Sequence, residues 1–179
     1  MDPLVEYRIP IKGLSNGIHQ YDYQINGVFL QQFEHSPIRD AQINMQMMLD
    51  KRAGMYTLDF SFSGTVRSTC DRCLADINLP VQGENRLLVK LSHETESEDP
   101  DVAFIHPDAQ KLEVAEFIYE FIILAIPMIK VYDCEVDDPY PCNTEMLDRL
   151  EGEDIEEDTN DEESTNPIWE ELKKFNSKK

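Results

Sequence analysis

The sequence predicts an α+β protein: an antiparallel meander sheet or partly closed barrel, covered by one main helix and followed by a disordered acidic tail. Three observations lead there. The first half of the chain alternates apolar and polar residues, one later segment from Lys111 to Pro127 changes to helical spacing, and acidic residues crowd the stretch after residue 130. Period two marks a strand with a wet and a dry face, whereas a period near 3.6 marks an amphipathic helix.

The strands follow in order. In "LVEYRIPI" Val5, Tyr7, Ile9 and Ile11 share one side, and in "HQYDYQI" Tyr21, Tyr23 and Ile25 do the same. Asn26-Gly27 signals a turn, and "GVFLQQFE" spaces Val28, Phe29, Leu30 and Phe33 as a short helix or turn. "AQINMQM" alternates again through Ala41, Ile43, Met45 and Met47. Arg52-Ala53-Gly54 predicts a hairpin into the clearest strand, "YTLDFSFSGTV", with Tyr56, Leu58, Phe60 and Phe62 on one face and Thr57, Asp59, Ser61 and Ser63 on the other. A wet face implies an antiparallel sheet rather than a parallel one covered on both sides. "DINLPVQ" and "RLLVKLS" predict two more strands parted at Gly83, giving a meander of five or six.

The helix is carried by "KLEVAEFIYEFIILAIP". Val114, Phe117, Ile118, Phe121, Ile122 and Ala125 recur at helical spacing, Glu113, Glu116 and Glu120 take the other side, and Pro127 closes the segment. Burying its large side chains contributes about 1.5–3 kcal/mol each. The dry face of the sheet is the surface that can accept them.

The net charge of −20 is spread unevenly: residues 1–130 carry −8, residues 131–166 carry −14 with Arg149 as their one base, and residues 167–179 carry +2. A folded domain is expected over 1–149. Residues 150–166 hold too few apolar side chains to offset the entropy of ordering and are expected to be a disordered linker. Residues 167–179 form a short amphipathic helix, with Asn166 as N-cap and Pro167 at its first position. Trp169, Leu172 and Phe175 are its candidate partner-binding residues, whether it docks on the domain or on another protein.

This charge disfavours broad attraction to nucleic acid and favours basic protein partners or plain solubility. The longest apolar run, Phe121 to Ile129, has nine residues and contains Pro127. A spanning helix needs roughly 20, so no membrane association is expected. "MDPLVEYRIP" has neither the basic start nor the apolar block of a signal peptide. The expected location is cytoplasmic, where cysteines remain thiols or bind metal.

"TCDRCLAD" puts Cys70 and Cys73 in a bend between two strands. A redox Cys-x-x-Cys needs a helix N-terminus to stabilise a thiolate, and none is expected here. The same spacing in a bend is half of a zinc knuckle. Cys134 and Cys142 are the remaining cysteines, with His93 and His106 as alternative ligands. A structural zinc held by Cys70, Cys73, Cys134 and Cys142 therefore stands beside the reading of inert, half-buried thiols. Arg67, Arg72, Arg86 and Lys90 are the candidate RNA-binding residues. The chain has no Gly-rich phosphate loop, no Gly-x-Ser-x-Gly and no His-Glu-x-x-His, so no enzyme is expected.

Taken in order, these motifs resemble the bacterial and plastid YceD family of large ribosomal RNA subunit accumulation proteins. A strand leads to Cys70, Arg72 and Cys73, and an acidic loop leads to a helix bearing Glu120, Ile123, Leu124, Ala125 and Pro127. Cys134, an acidic tail and the closing Asn166, Pro167 and Ile168 follow. The resemblance implies a non-enzymatic role in ribosome biogenesis, maintaining or helping to process large-subunit ribosomal RNA. The implied partners are that RNA or its precursor particle, or a basic ribosomal protein. A zinc-binding module acting directly on precursor RNA is one alternative reading, and a thiol redox protein is another.

Overall fold

The computed structural model of the chain describes residues 2–152 apart from 94–98, 100, 132 and 134–136. The linker beyond residue 152 and the expected C-terminal helix lie outside the described residues. In chain order the elements are β1 (Arg8–Ile9), β2 (Gly17–Asn26), α1 (Gly27–Leu30), β3 (Ala41–Arg52), β4 (Met55–Thr69), β5 (Asp76–Leu91), β6 (Val102–Ile105), β7 (Leu112–Glu113), α2 (Ala115–Leu124) and α3 (Thr144–Gly152). Two short 3-10 turns, Val5–Tyr7 and Ile11–Gly13, flank β1.

The expected α+β architecture is present. Strands β2 to β5 form an antiparallel meander, with β6 added to β5 in parallel, so the five-stranded sheet is mixed and open rather than closed into a barrel. The wet and dry faces follow the alternation: Ala41, Ile43, Met45, Met47 and Leu49 of β3 are buried, while Gln42, Asn44 and Gln46 are exposed. Strand β5 runs unbroken through Gly83 instead of ending there. Gly83 stands opposite Phe62, and a Cβ at Gly83 would sit 2.6 Å from the Phe62 ring. The missing side chain makes room for a neighbour's ring, a common reason for glycine inside a strand.

The dry face is covered by α2 and the N-terminal arm. Ile118 and Ile122 of α2 have no exposed surface, and Phe121 meets Phe60 edge-on at 5.1 Å. The helix begins at Ala115 rather than Lys111 because the four preceding residues also alternate: Leu112 and Val114 are buried and Glu113 is exposed. They pair with β1, Ile9 facing Leu112, and the Val114 N–H donates to the Tyr7 carbonyl at 3.0 Å. A train of aromatic rings then ties the edge to the helix. Tyr23 stacks on Tyr7 at 5.0 Å, Tyr7 meets Phe29 of α1, Phe29 meets Phe33, and Phe33 stacks on Tyr119 of α2 at 4.1 Å. Asn26 fixes α1 in this train by accepting the Val28 N–H at 2.9 Å. Helix α3 lies in a second unit, Thr144–Lys179, and continues past the boundary expected at residue 150.

One buried group in this core has no partner: the Tyr23 hydroxyl makes no hydrogen bond among the described residues. A buried, unsatisfied hydroxyl costs about 1–3 kcal/mol. Tyr23→Phe is therefore expected to be neutral or to stabilise by about 1 kcal/mol in urea denaturation; a clear loss would contradict it. Burial also holds the Tyr7 and Tyr23 phenols well above their ordinary range. The unfolded chain gives up these protons first, so stability is full below about pH 10 and declines as pH rises beyond it. Tyr23→Phe should make that alkaline decline shallower.

Candidate functional site

Cys70 to Ala75 make the corner between β4 and β5, closed by the Thr69–Asp76 pair at the strand ends. The Cys70 N–H donates to the Ala75 carbonyl at 2.8 Å, and the Leu74 N–H donates to the Cys70 carbonyl at 3.0 Å. Leu74 adopts a left-handed conformation with φ 59°, a conformation uncommon for a residue with a side chain. This turns the chain back so that the Ala75 N–H meets the Cys73 sulfur. Both cysteines are buried and both are free thiols. They sit between strands, and among the described residues no helix N-terminus adjoins the corner.

A third thiol arrives from far along the chain. Cys142, half-buried, lies beside Cys73, and the Asn143 N–H is directed at the Cys73 sulfur. The segment leaving α2 is held to the corner at a second point: the Lys130 N–H donates to Asp71 Oδ2 at 2.7 Å, and the Asp71 N–H donates to the Lys130 carbonyl at 3.1 Å. Burial pushes the Cys73 thiol up, but the Ala75 and Asn143 N–H groups and the Cys70 and Cys142 thiols outweigh it and leave Cys73 below the ordinary thiol value. Of the four cysteines named from sequence, three are thus brought together. Cys134 lies outside the described residues.

The histidines named as alternative ligands belong elsewhere. His93 and His106 meet each other at 3.1 Å beyond the far ends of β5 and β6. That is the full 16-residue length of β5 from the corner, roughly 50 Å of strand.

Arg67, Arg86 and Lys90 occupy the wet face of the sheet, by the parity of β4 and β5, and are exposed. Arg72 lies within the corner and Arg67 just before it, near the end of β4. Arg86 and Lys90 are remote from it, because Arg86 lies eight residues along β5 from Asn78, the partner of Arg67, roughly 26 Å away. Arg67 pairs with Asp76 at 3.2 Å and Arg86 with Asp59 at 2.5 Å. Between these cations the wet face forms a shallow open depression of about 1200 Å³, lined by Asn44, Gln46, Ser61, Ser63, Gln82 and Glu84 among others. Trp169, Leu172 and Phe175 lie outside the described residues.

Among the described residues, no helix is long and apolar enough to cross a membrane. The family model described as "Large ribosomal RNA subunit accumulation protein YceD" matches residues 58–176, which takes in most of β4, the cysteine corner, β5 and α2. A curated relative from Bacillus subtilis (strain 168), "Uncharacterized protein YlbN", is 27% identical over 90 residues, 50% of this chain and 51% of the relative. The chain thus spans about half the length of the curated relative it matches. No solved structure matches the chain.

Proposed function

The chain belongs to the YceD family of large ribosomal RNA subunit accumulation proteins, and from that premise we propose that it is a non-enzymatic ribosome biogenesis factor, an adaptor that holds a basic ribosomal protein for a large-subunit precursor particle. The observation that favours a protein partner over RNA is the state of the cations. Arg8 pairs with Asp2 and Glu113, Arg52 with Asp50, Arg67 with Asp76, Arg86 with Asp59, and Lys130 with Asp71. The Lys51 ammonium donates to the carbonyls of Ile11 and Leu14. A phosphate would have to displace a carboxylate at each of these arginines, whereas residues 131–166 offer 15 acids to a basic partner.

The test is capture of purified basic large-subunit ribosomal proteins by the full-length chain and by a chain ending at Arg149. The full-length chain should capture them at about 0.1 M salt and release them near 1 M, where screening shortens the reach of charge from about 10 Å to 3 Å. The truncated chain should capture little at either salt. Equal capture by both chains would refute the adaptor.

A second reading rests on the wet face, whose amides and hydroxyls could hydrogen-bond an RNA while Arg67, Arg72, Arg86 and Lys90 contact its phosphates. If those four cations carry the contact, affinity for large-subunit RNA fragments in gel shifts should fall with a log–log salt slope of about −3. Binding indifferent to salt would exclude it.

A further inference from the structure

The open five-stranded sheet has two edges, and they differ. The pairing order ends on β2 at one side and on β6 at the other. Strand β6 has four residues, whereas β2 runs for ten, Gly17 to Asn26. A bare edge can pair with another strand, and proteins ordinarily blunt it with short length, Lys, Pro or a bulge. Strand β2 contains no Lys, Arg or Pro and pairs with β3 residue for residue. From this contrast we propose that β2 is a docking edge, which accepts an extended basic segment of a protein partner as an added strand.

The direction of each backbone group on β2 follows from three hydrogen bonds elsewhere in the sheet. In an antiparallel ladder alternate pairs of opposed residues exchange both backbone bonds, and the residues between turn theirs to the other neighbour. The Arg67 N–H donates to the Asp40 carbonyl at 3.0 Å, one step beyond the Ala41–Val66 pair. Even-numbered residues of β3 therefore bond to β4, and odd-numbered ones bond to β2. Two further bonds carry the same alternation across the sheet: the Leu91 N–H to the Gly54 carbonyl at 3.1 Å and the Leu88 N–H to the Asp101 carbonyl at 2.8 Å. Because β2 pairs with β3 odd to odd, Tyr21 with Met47 for example, the even residues of β2 face outward. Ile18, Gln20, Asp22 and Gln24 thus present an N–H and a carbonyl each, about 7 Å apart. None of these groups has a backbone partner among the described residues.

The chemistry of the partner follows from what flanks the edge. The outward residues carry their side chains on the wet face, where Ile18 is 68% exposed. The depression beside them is lined by Glu6, Asp22 and Glu84 and by no Lys or Arg. Asp22 accepts from the neutral amides of Gln20 and Gln46, and none of the three acids joins an ion pair among the described residues. A strand with Lys or Arg at every second position lays them on this face, while the residues between lie beside half-buried Tyr21 on the other. A second copy fits poorly, because it brings another net charge of −20 and a second Asp22. Main-chain bonds give such an addition its affinity, and alternate side chains give it specificity. The inference deepens the adaptor reading, on which it rests for the partner being a basic protein, and gives that partner a place on the sheet in addition to residues 131–166.

The test is amide hydrogen exchange, read by NMR on the full-length chain with and without a short synthetic peptide that alternates lysine and valine. In the free chain Gln20, Asp22 and Gln24 should exchange fast, while Tyr21 and Tyr23, bonded to β3, exchange slowly. Saturating peptide should slow the three fast amides about tenfold or more. The same peptide methylated at every backbone nitrogen keeps its charge but has no N–H to donate, and it should leave them unchanged, as should a peptide with glutamate for lysine. Asp22→Lys, an exposed change outside the β3 ladder, should raise the peptide concentration needed to protect Gln20 and Gln24 about tenfold. The proposal is overturned if the lysine peptide leaves these amides fast, if the methylated or the glutamate peptide slows them equally, or if Asp22→Lys changes nothing. It is overturned as well if the free chain sediments as a dimer with these amides already slow, which would make a second copy the occupant. Capture lost on truncation at Arg149 reads residues outside the sheet, so the adaptor and the docking edge can each fail alone.

Discussion

Gly64→Ala is expected to destabilise the protein by about 3 kcal/mol or more, a large part of the 5–15 kcal/mol that holds a domain of this kind together. Gly64 sits inside β4, with Ile43 of β3 on one side and Val81 of β5 on the other. A Cβ there would fall on the Gln42 carbonyl and 2.6 Å from the Ile43 Cα. Overpacking among side chains costs about 1–3 kcal/mol because rotamers can adjust. Here the obstacle is backbone in the middle of two ladders, so relief requires moving strands apart. Gly83→Ala should cost less, since the atoms it meets belong to the Phe62 ring, which can rotate. Gly13→Ala meets nothing within 4 Å and should stay within about 0.5 kcal/mol of wild type. Urea midpoints of the three variants give the ranking, and a Gly64→Ala protein as stable as Gly13→Ala would refute the close approach of β3 and β4.

The strands β2, β3 and β4 were legible because one face is wet and the other dry, so alternation and burial carry the same signal. Where that condition lapses, so does the reading. All four residues of β6 are half-buried, and "VAFI" consequently shows no alternation and reads as part of an acidic loop. Lys111 to Val114 satisfy both periods, and only the pairing with β1 decides for a strand. The apolar run after Phe121 looks like core, yet Leu124, Met128 and Ile129 are 78%, 98% and 71% exposed. Composition reports hydrophobicity and not what lies opposite.

The candidate site divides in the same way. Cys70 and Cys73 announce themselves by spacing in a bend between strands. The return of Cys142 to Cys73 is a tertiary contact, as is that of Asp71 with Lys130, and no local pattern encodes either. The basic residues show the opposite failure. Arg67, Arg86 and Lys90 share one face by the parity of β4 and β5, but two long strands spread them along it, and acidic neighbours such as Asp59 and Asp76 engage two of the three. A shared face is legible from sequence, whereas a cluster depends on strand length and register.

Ile118→Ala should cost about 3 kcal/mol, within the range seen when a fully buried aliphatic side chain is cut back and the cavity only partly collapses. Ile118 lies mid-way along α2 with no exposed surface. Leu124→Ala, at the exposed end of the same helix, should change stability by about 0.5 kcal/mol or less. The larger loss has a consequence at the cysteine corner. In reduced protein, the buried Cys73 reacts with a thiol reagent only when its cover opens, and its labelling rate follows the population of the open state if reclosing outpaces the reagent. If that opening is global unfolding, a loss of 3 kcal/mol raises the rate roughly a hundredfold. The half-buried Cys142 should label quickly in both proteins. Because α2 positions the segment that carries Lys130 and Cys142 to the corner, we expect the corner to share the cooperativity of the core and Cys73 labelling to show the full increase. A Cys73 rate that ignores Ile118→Ala while the urea midpoint falls would mean that the corner opens on its own and that α2 does not hold it.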